Sequence, residues 1–199
     1  MKTTGKLHNL NAWERKATPA SSRVMPTGVD GLDELLPCGG WPKNGLVEIV
    51  VPDGYADFMS LLMPALARFS RQGRRIAMVA PPCQARARLF TDSTMDPLKV
   101  LQVNPHPGRS ALWTAESMLQ SGDCSVVLAW PNCNTELMDK RLLNAAASGK
   151  ALAILVRYEG LSMPRSAVDV RLKLVVDADG RALYLVGGQG EILSGVALT

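Results

Sequence analysis

Metal-binding side chains are scarce in this chain. It has two histidines, His8 and His106, and four cysteines, Cys38, Cys83, Cys124 and Cys133, with no Cys-x-x-Cys pair among them. That scatter excludes the paired spacing of a structural zinc site, and the thiols are expected to act as small hydrophobes. Long apolar runs are missing too: stretches such as Ala151 to Val156 fall well short of the roughly 20 residues that cross a bilayer. No apolar run near the N-terminus leads to a small-residue cleavage site, so the expectation is a cytoplasmic protein with no membrane contact. The body of the chain also lacks a net charge. From Thr27 onward it carries 17 basic and 17 acidic residues, and the overall +4 resides in residues 1 to 26.

What is present fits one sizeable core. At 199 residues and 47% hydrophobic content the chain suits a single domain, expected over residues 24 to 199 behind a basic, flexible arm over residues 1 to 23. A basic arm contacts phosphates or acidic partners, or is simply a solvated tail, and both readings stand. A short helix is expected over His8 to Ala17. Its Leu10 and Trp13 fit either an anchor for a neighbouring subunit or partner, or a contact folded back on the domain.

Apolar runs alternate with helix-periodic segments. Strands are expected at Leu46–Val51, Arg75–Ala80, Val100–Val103, Ser125–Trp130 and Ala151–Tyr158. Between them lie helical patterns over Phe58–Ser70, with Pro64 as an irregularity, and over Gln84–Phe90, Ser110–Ser121 and Glu136–Ala147. A capped turn and short helix are expected at Gly28–Leu36, broken by the segment Pro37 to Pro42. Continuously apolar strands separated by helices indicate a mostly parallel sheet covered on both faces, an α/β fold of three layers. Asp177-Ala-Asp-Gly180 between two β-like runs signals a C-terminal antiparallel hairpin. Trp113 and Trp130 are expected to pack in the core.

The strand, loop and helix over residues 46 to 62 occupy the place of a phosphate-binding loop. Such a loop needs glycines whose backbone N–H groups wrap phosphates, a lysine for the β- and γ-phosphates, and a hydroxyl for magnesium. Here it reads Val51 to Phe58 with Gly54 as its single glycine. The preceding Thr27-Gly-Val-Asp-Gly-Leu-Asp33 and Gly39-Gly-Trp-Pro42 resemble the opening of RecA-family domains. Carried over by position, that resemblance puts the loop's first and second glycines on Val51 and Ala56, its lysine on Asp57 and its hydroxyl on Phe58. It puts the water-activating residue on Pro82 and the magnesium-binding aspartate on Trp130. A proline cannot act as a general base. Together these losses imply a degenerate phosphate loop in a RecA-like fold, with no cofactor, no metal and no catalysis.

Within that superfamily the chain is similar to the ImuA family. The blocks that carry the resemblance include Leu61-x-x-Pro64-x-Leu66-Ala-Arg68, Val79-Ala-Pro-Pro82, Ala111-Leu-Trp113 and the run from Ser121 to Pro131. It implies a role in SOS-induced translesion DNA synthesis, beside an ImuB-type relative of Y-family polymerases and an error-prone polymerase, with contact to DNA, to RecA or to a second copy. The block from Ser121 to Trp130 and the helix ending Ala147-Ser-Gly149 suit equally the SulA family, whose members inhibit cell division by blocking FtsZ, whereas the Thr27 to Gly40 entry and the extension from Arg165 to Thr199 stand against that alternative. A RecA-family ATPase with an unusual site is a third reading. Arg68, Arg71, Arg74 and Arg75, followed by Arg86 and Arg88, form a cluster that fits either DNA-phosphate contact or a solubilising face.

Overall fold

The apolar run beginning at Leu46 lies at the centre of the sheet. In the computed structural model the described residues are 24–53, 57–83, 85, 94–106, 109–132, 136–160, 168–178, 180–187 and 190–198. The strands are β1 (Val24–Met25), β2 (Trp41–Pro42), β3 (Gly45–Val51), β4 (Arg75–Val79), β5 (Val100–Val103), β6 (Cys124–Ala129), β7 (Leu152–Tyr158), β8 (Val170–Asp177), β9 (Gly180–Val186) and β10 (Ile192–Leu198). The helices are α1 (Leu32–Leu35), α2 (Met63–Arg71), α3 (Ala111–Ser121) and α4 (Glu136–Gly149).

Eight strands form one sheet in the order β10-β9-β8-β3-β7-β6-β4-β5. Every pairing from β8 across to β5 is parallel, whereas β9 and β10 add antiparallel strands at the other edge. The mostly parallel sheet and its C-terminal hairpin are therefore present as expected. β1 and β2 form a separate antiparallel ribbon, with β2 inside the Pro37 to Pro42 segment read from sequence as a break.

Alternation along the central strands sorts their side chains onto two faces. Val47, Ile49 and Val51 of β3 join α1 and α2 in one core, while Leu46 joins α3 and α4 in the other. All seven residues of β3 are buried, which explains its apolar composition. Glu48 shares the face of Leu46, so a one-residue register slip would drive its carboxylate into the wholly apolar core opposite.

Pro64 explains the break in the pattern over Phe58–Ser70. A 3-10 turn spans Asp57–Leu61 and α2 starts at Met63, with Pro64 in its first turn, where a missing N–H costs nothing. The start of α3 is held by Ser110, whose hydroxyl accepts from the Trp113 N–H at 3.2 Å, and its end by Gly122 at φ 73°. Near the ends of α3 and α4 the backbones come so close that a Cβ on Gly149 would stand 1.8 Å from the Leu119 carbonyl oxygen. The helices expected over residues 8–17 and 84–90 lie outside the described residues, apart from Ala85.

Candidate functional site

The C-terminal ends of parallel strands are where α/β sheets usually bind ligands. Here β3, β4, β6 and β7 end around an open cleft of about 450 Å³ lined by Asp53, Pro82, Trp130, Pro131, Val156 and Tyr158, with Ala80, Asn132, Glu159 and Gly160 completing it. The Glu159 N–H donates to the Val51 carbonyl at 2.9 Å, and the Trp130 N–H donates to the Val79 carbonyl at 3.1 Å, so these rim segments are tied to the sheet.

Some of the positions singled out from sequence line this cleft and others do not. Val51 is fully buried at the end of β3. Phe58, also buried, packs on Trp130 with ring centroids 6.5 Å apart and planes tilted by 57°. Pro82 and Trp130 both line the cleft. Asp57 Oδ2 accepts from Arg181 Nη1 at 2.6 Å, joining the segment after β3 to β9. Gly54 and Ala56 lie outside the described residues. Burial pushes the Tyr158 phenol above its ordinary value, and the neighbouring Asp53 charge pushes it the same way.

The arginine cluster divides. Arg68 and Arg71 sit in the last turn of α2, where the helix dipole favours cations, and Arg74 and Arg75 follow it; all four are exposed. The Arg74 guanidinium lies 5.9 Å from the centroid of the Phe69 ring. Arg86, Arg88, Leu10 and Trp13 lie outside the described residues.

Trp113 departs from the expected core position. It is 40% exposed, with the Arg109 guanidinium 4.0 Å from its ring centroid. The reason is helical phase: α3 buries Leu112, Ala115, Glu116 and Leu119, and position 113 falls off that stripe. Trp130, by contrast, is buried as expected.

Sequence reasoning missed a buried ionic cluster. Glu48 accepts from the Nε atoms of both Arg157 and Arg171, and Arg157 Nη2 also donates to Asp139 Oδ1 at 3.3 Å. All four side chains are at least 95% buried. The cluster binds β3, β7, β8 and α4 beneath the cleft. The available signal was Glu48 itself, a carboxylate in the middle of an otherwise apolar strand.

Such a sheet, mostly parallel and with an open cleft at its strand ends, defines a mixed α/β domain. A SulA family model, described as "Cell division inhibitor SulA", matches residues 45–153, and the chain belongs to that family. The SulA of Photorhabdus laumondii is 27% identical over 115 residues, covering 58% of this chain and 65% of that protein, just under two thirds. RecA of Treponema denticola is 31% identical over 110 residues, covering 53% of this chain and 25% of that protein. Among solved structures, SulA from Pseudomonas aeruginosa aligns with a TM-score of 0.47 at 21% identity, over 56% of this chain and 97% of that one.

These matches overturn the ImuA reading and its translesion-synthesis role, and leave the ImuB-type and polymerase partners without support. The physical reason for the misassignment lies in the blocks that carried it. Leu61, Leu66, Val79, Leu112 and Val126 to Trp130 are buried, so they encode the fold and not the surface that chooses a partner.

Proposed function

We propose that this chain is an SOS-response inhibitor of cell division that acts by holding FtsZ and turns over no nucleotide. What carries the reading is membership of the SulA family over residues 45–153, a span that includes β3, β4 and β6 and most of the cleft.

The degenerate phosphate loop of a RecA-like domain is part of the same proposal. Its support is the similarity to RecA together with the side chains at the positions in question. Asp57 stands paired with Arg181 where a lysine would be needed, and Phe58 and Trp130 pack against each other where a hydroxyl and an aspartate would hold magnesium. With no lysine to reach the phosphates and no hydroxyl to hold magnesium, the usual mode of nucleotide binding lacks the groups it depends on.

In this reading function resides in surfaces. Arg68, Arg71, Arg74 and Arg75 supply an exposed basic face, and we assign it to the acidic groups of the partner protein. Capture of purified FtsZ by the immobilised chain, without nucleotide, is the test. The expected result is saturable capture, weakened roughly tenfold in the Arg74→Ala/Arg75→Ala double variant and by added salt. No capture by a folded chain contradicts the reading; capture indifferent to the double variant moves the contact elsewhere.

A further inference from the structure

The cleft has the opposite electrostatic sign to a phosphate site. Where a strand leads into a helix at this edge of a sheet, exposed backbone N–H groups normally attract anions. Here the described lining carries two carboxylates, Asp53 and Glu159, and no Lys or Arg. Glu159 is paired with Lys173 at 2.9 Å, both side chains being well exposed, whereas Asp53 has no ion-pair partner among the described residues. The walls between them are Pro82, Trp130, Pro131, Val156 and Tyr158. A volume of about 450 Å³ falls in the roughly 300–1,000 Å³ range of small-ligand sites.

We propose that this cleft binds a guanidinium or ammonium group carried on an aliphatic stem. The cation takes the Asp53 and Glu159 carboxylates and the electron-rich rings of Tyr158 and Trp130, and the stem takes Pro82, Pro131 and Val156. Two sources share that chemistry: a free amine, and an arginine or lysine side chain of a partner polypeptide. This inference uses the reading that the site no longer holds nucleotide, but not the identity of the partner protein.

Calorimetric titration of the full chain with agmatine, with acetyl-Gly-Arg-Gly-amide and with the neutral N-butylurea tests it. Saturable binding of a cationic probe with a dissociation constant on the order of 1 mM or tighter is expected, and the tighter of the two cationic probes identifies the source. Agmatine binding alone keeps the proposal and identifies a free amine as the source. Asp53→Asn/Glu159→Gln is expected to weaken binding roughly tenfold or more, and raising salt from about 0.05 M to 0.5 M to weaken it further. Both residues are exposed, so the double variant keeps the fold, which circular dichroism checks. The proposal is overturned if neither cationic probe saturates, if N-butylurea binds equally well, or if the double variant binds as the parent does. None of these results depends on FtsZ, so failure here and failure of the division-inhibitor reading are read separately.

Discussion

Arg181 Nη1 donates to Asp57 Oδ2 at 2.6 Å, across 124 positions of sequence, and so fastens the segment after β3 to the C-terminal hairpin. Under the proposed RecA-like reading Asp57 takes the place of the loop's lysine, and its charge is engaged by a residue on another strand. Reverting it is therefore expected to break a contact and restore nothing. Asp57→Lys sets a cation against Arg181 and leaves Phe58, Pro82 and Trp130 in place. Equilibrium dialysis with labelled ATP and magnesium is expected to find no binding in parent or variant. Because the pair is partly exposed, Asp57→Ala should cost no more than about 1 kcal/mol by urea denaturation.

Phe58 and Trp130 fill the space beside that pair. Phe58→Ala is expected to cost about 3–5 kcal/mol, the range for emptying a buried aromatic position. Trp130→Phe should be much milder, because the indole N–H has no acceptor among the described residues to lose. A large loss in the second variant and not the first, read from urea midpoints, would contradict this packing account.

The ionic cluster beneath the cleft responds asymmetrically. Removing one member leaves an uncompensated buried charge, so Glu48→Gln is expected to destabilise by about 3–5 kcal/mol. Replacing Glu48, Asp139, Arg157 and Arg171 together by apolar residues of similar size should recover much of that loss, because no charge is then left buried. Urea unfolding of the single and fourfold variants checks both expectations. A fourfold loss well above that of Glu48→Gln alone, approaching the sum of separate losses, would show that the charges act independently of one another and contradict this account.

Among the described residues, buried Cys124 and exposed Cys38 and Cys83 should separate by reactivity. Burial pushes the Cys124 thiol above its ordinary value, Asp123 adds to the rise and Arg75 opposes it. Iodoacetamide at mildly alkaline pH is expected to label Cys38 and Cys83 first and Cys124 only on unfolding. The raised value has a definite sign for stability. The fold favours the neutral thiol, so its contribution is complete below the ordinary thiol value and is lost as pH rises through the higher folded one. Tyr158 adds a loss in the same direction at higher pH. Denaturation midpoints measured from neutral pH upward should fall, and a rise would contradict the assignment.

Much of the frame was legible because local pattern and tertiary fate agreed. The run Leu46–Val51 reads as a strand buried on both faces, and β3 is buried throughout. Pro64 marked an irregularity that proved to be a junction between a 3-10 turn and α2. The Asp177 to Gly180 turn placed the hairpin. What escaped depends on distant partners. Glu48 meets Arg157 and Arg171 across 109 and 123 positions, a meeting that only the strand order produces. β10 has little alternation to announce it, since its exposed Ile192 and Leu193 precede a Val196 that packs over Gly31. Of the site, Pro82 and Trp130 were picked out and line the cleft, with Phe58 packed on Trp130, whereas Asp53, Tyr158 and Arg181 were not picked out. The family branch was misread because shared core residues carry no record of the partner.

Assembly of purified FtsZ with GTP, followed by pelleting in the presence of increasing amounts of this chain, tests the central claim most directly. The account predicts that pelleted FtsZ falls as the chain approaches equimolar amounts, equally with and without ATP. Unchanged pelleting at molar excess of folded chain, or inhibition that requires ATP, would contradict it.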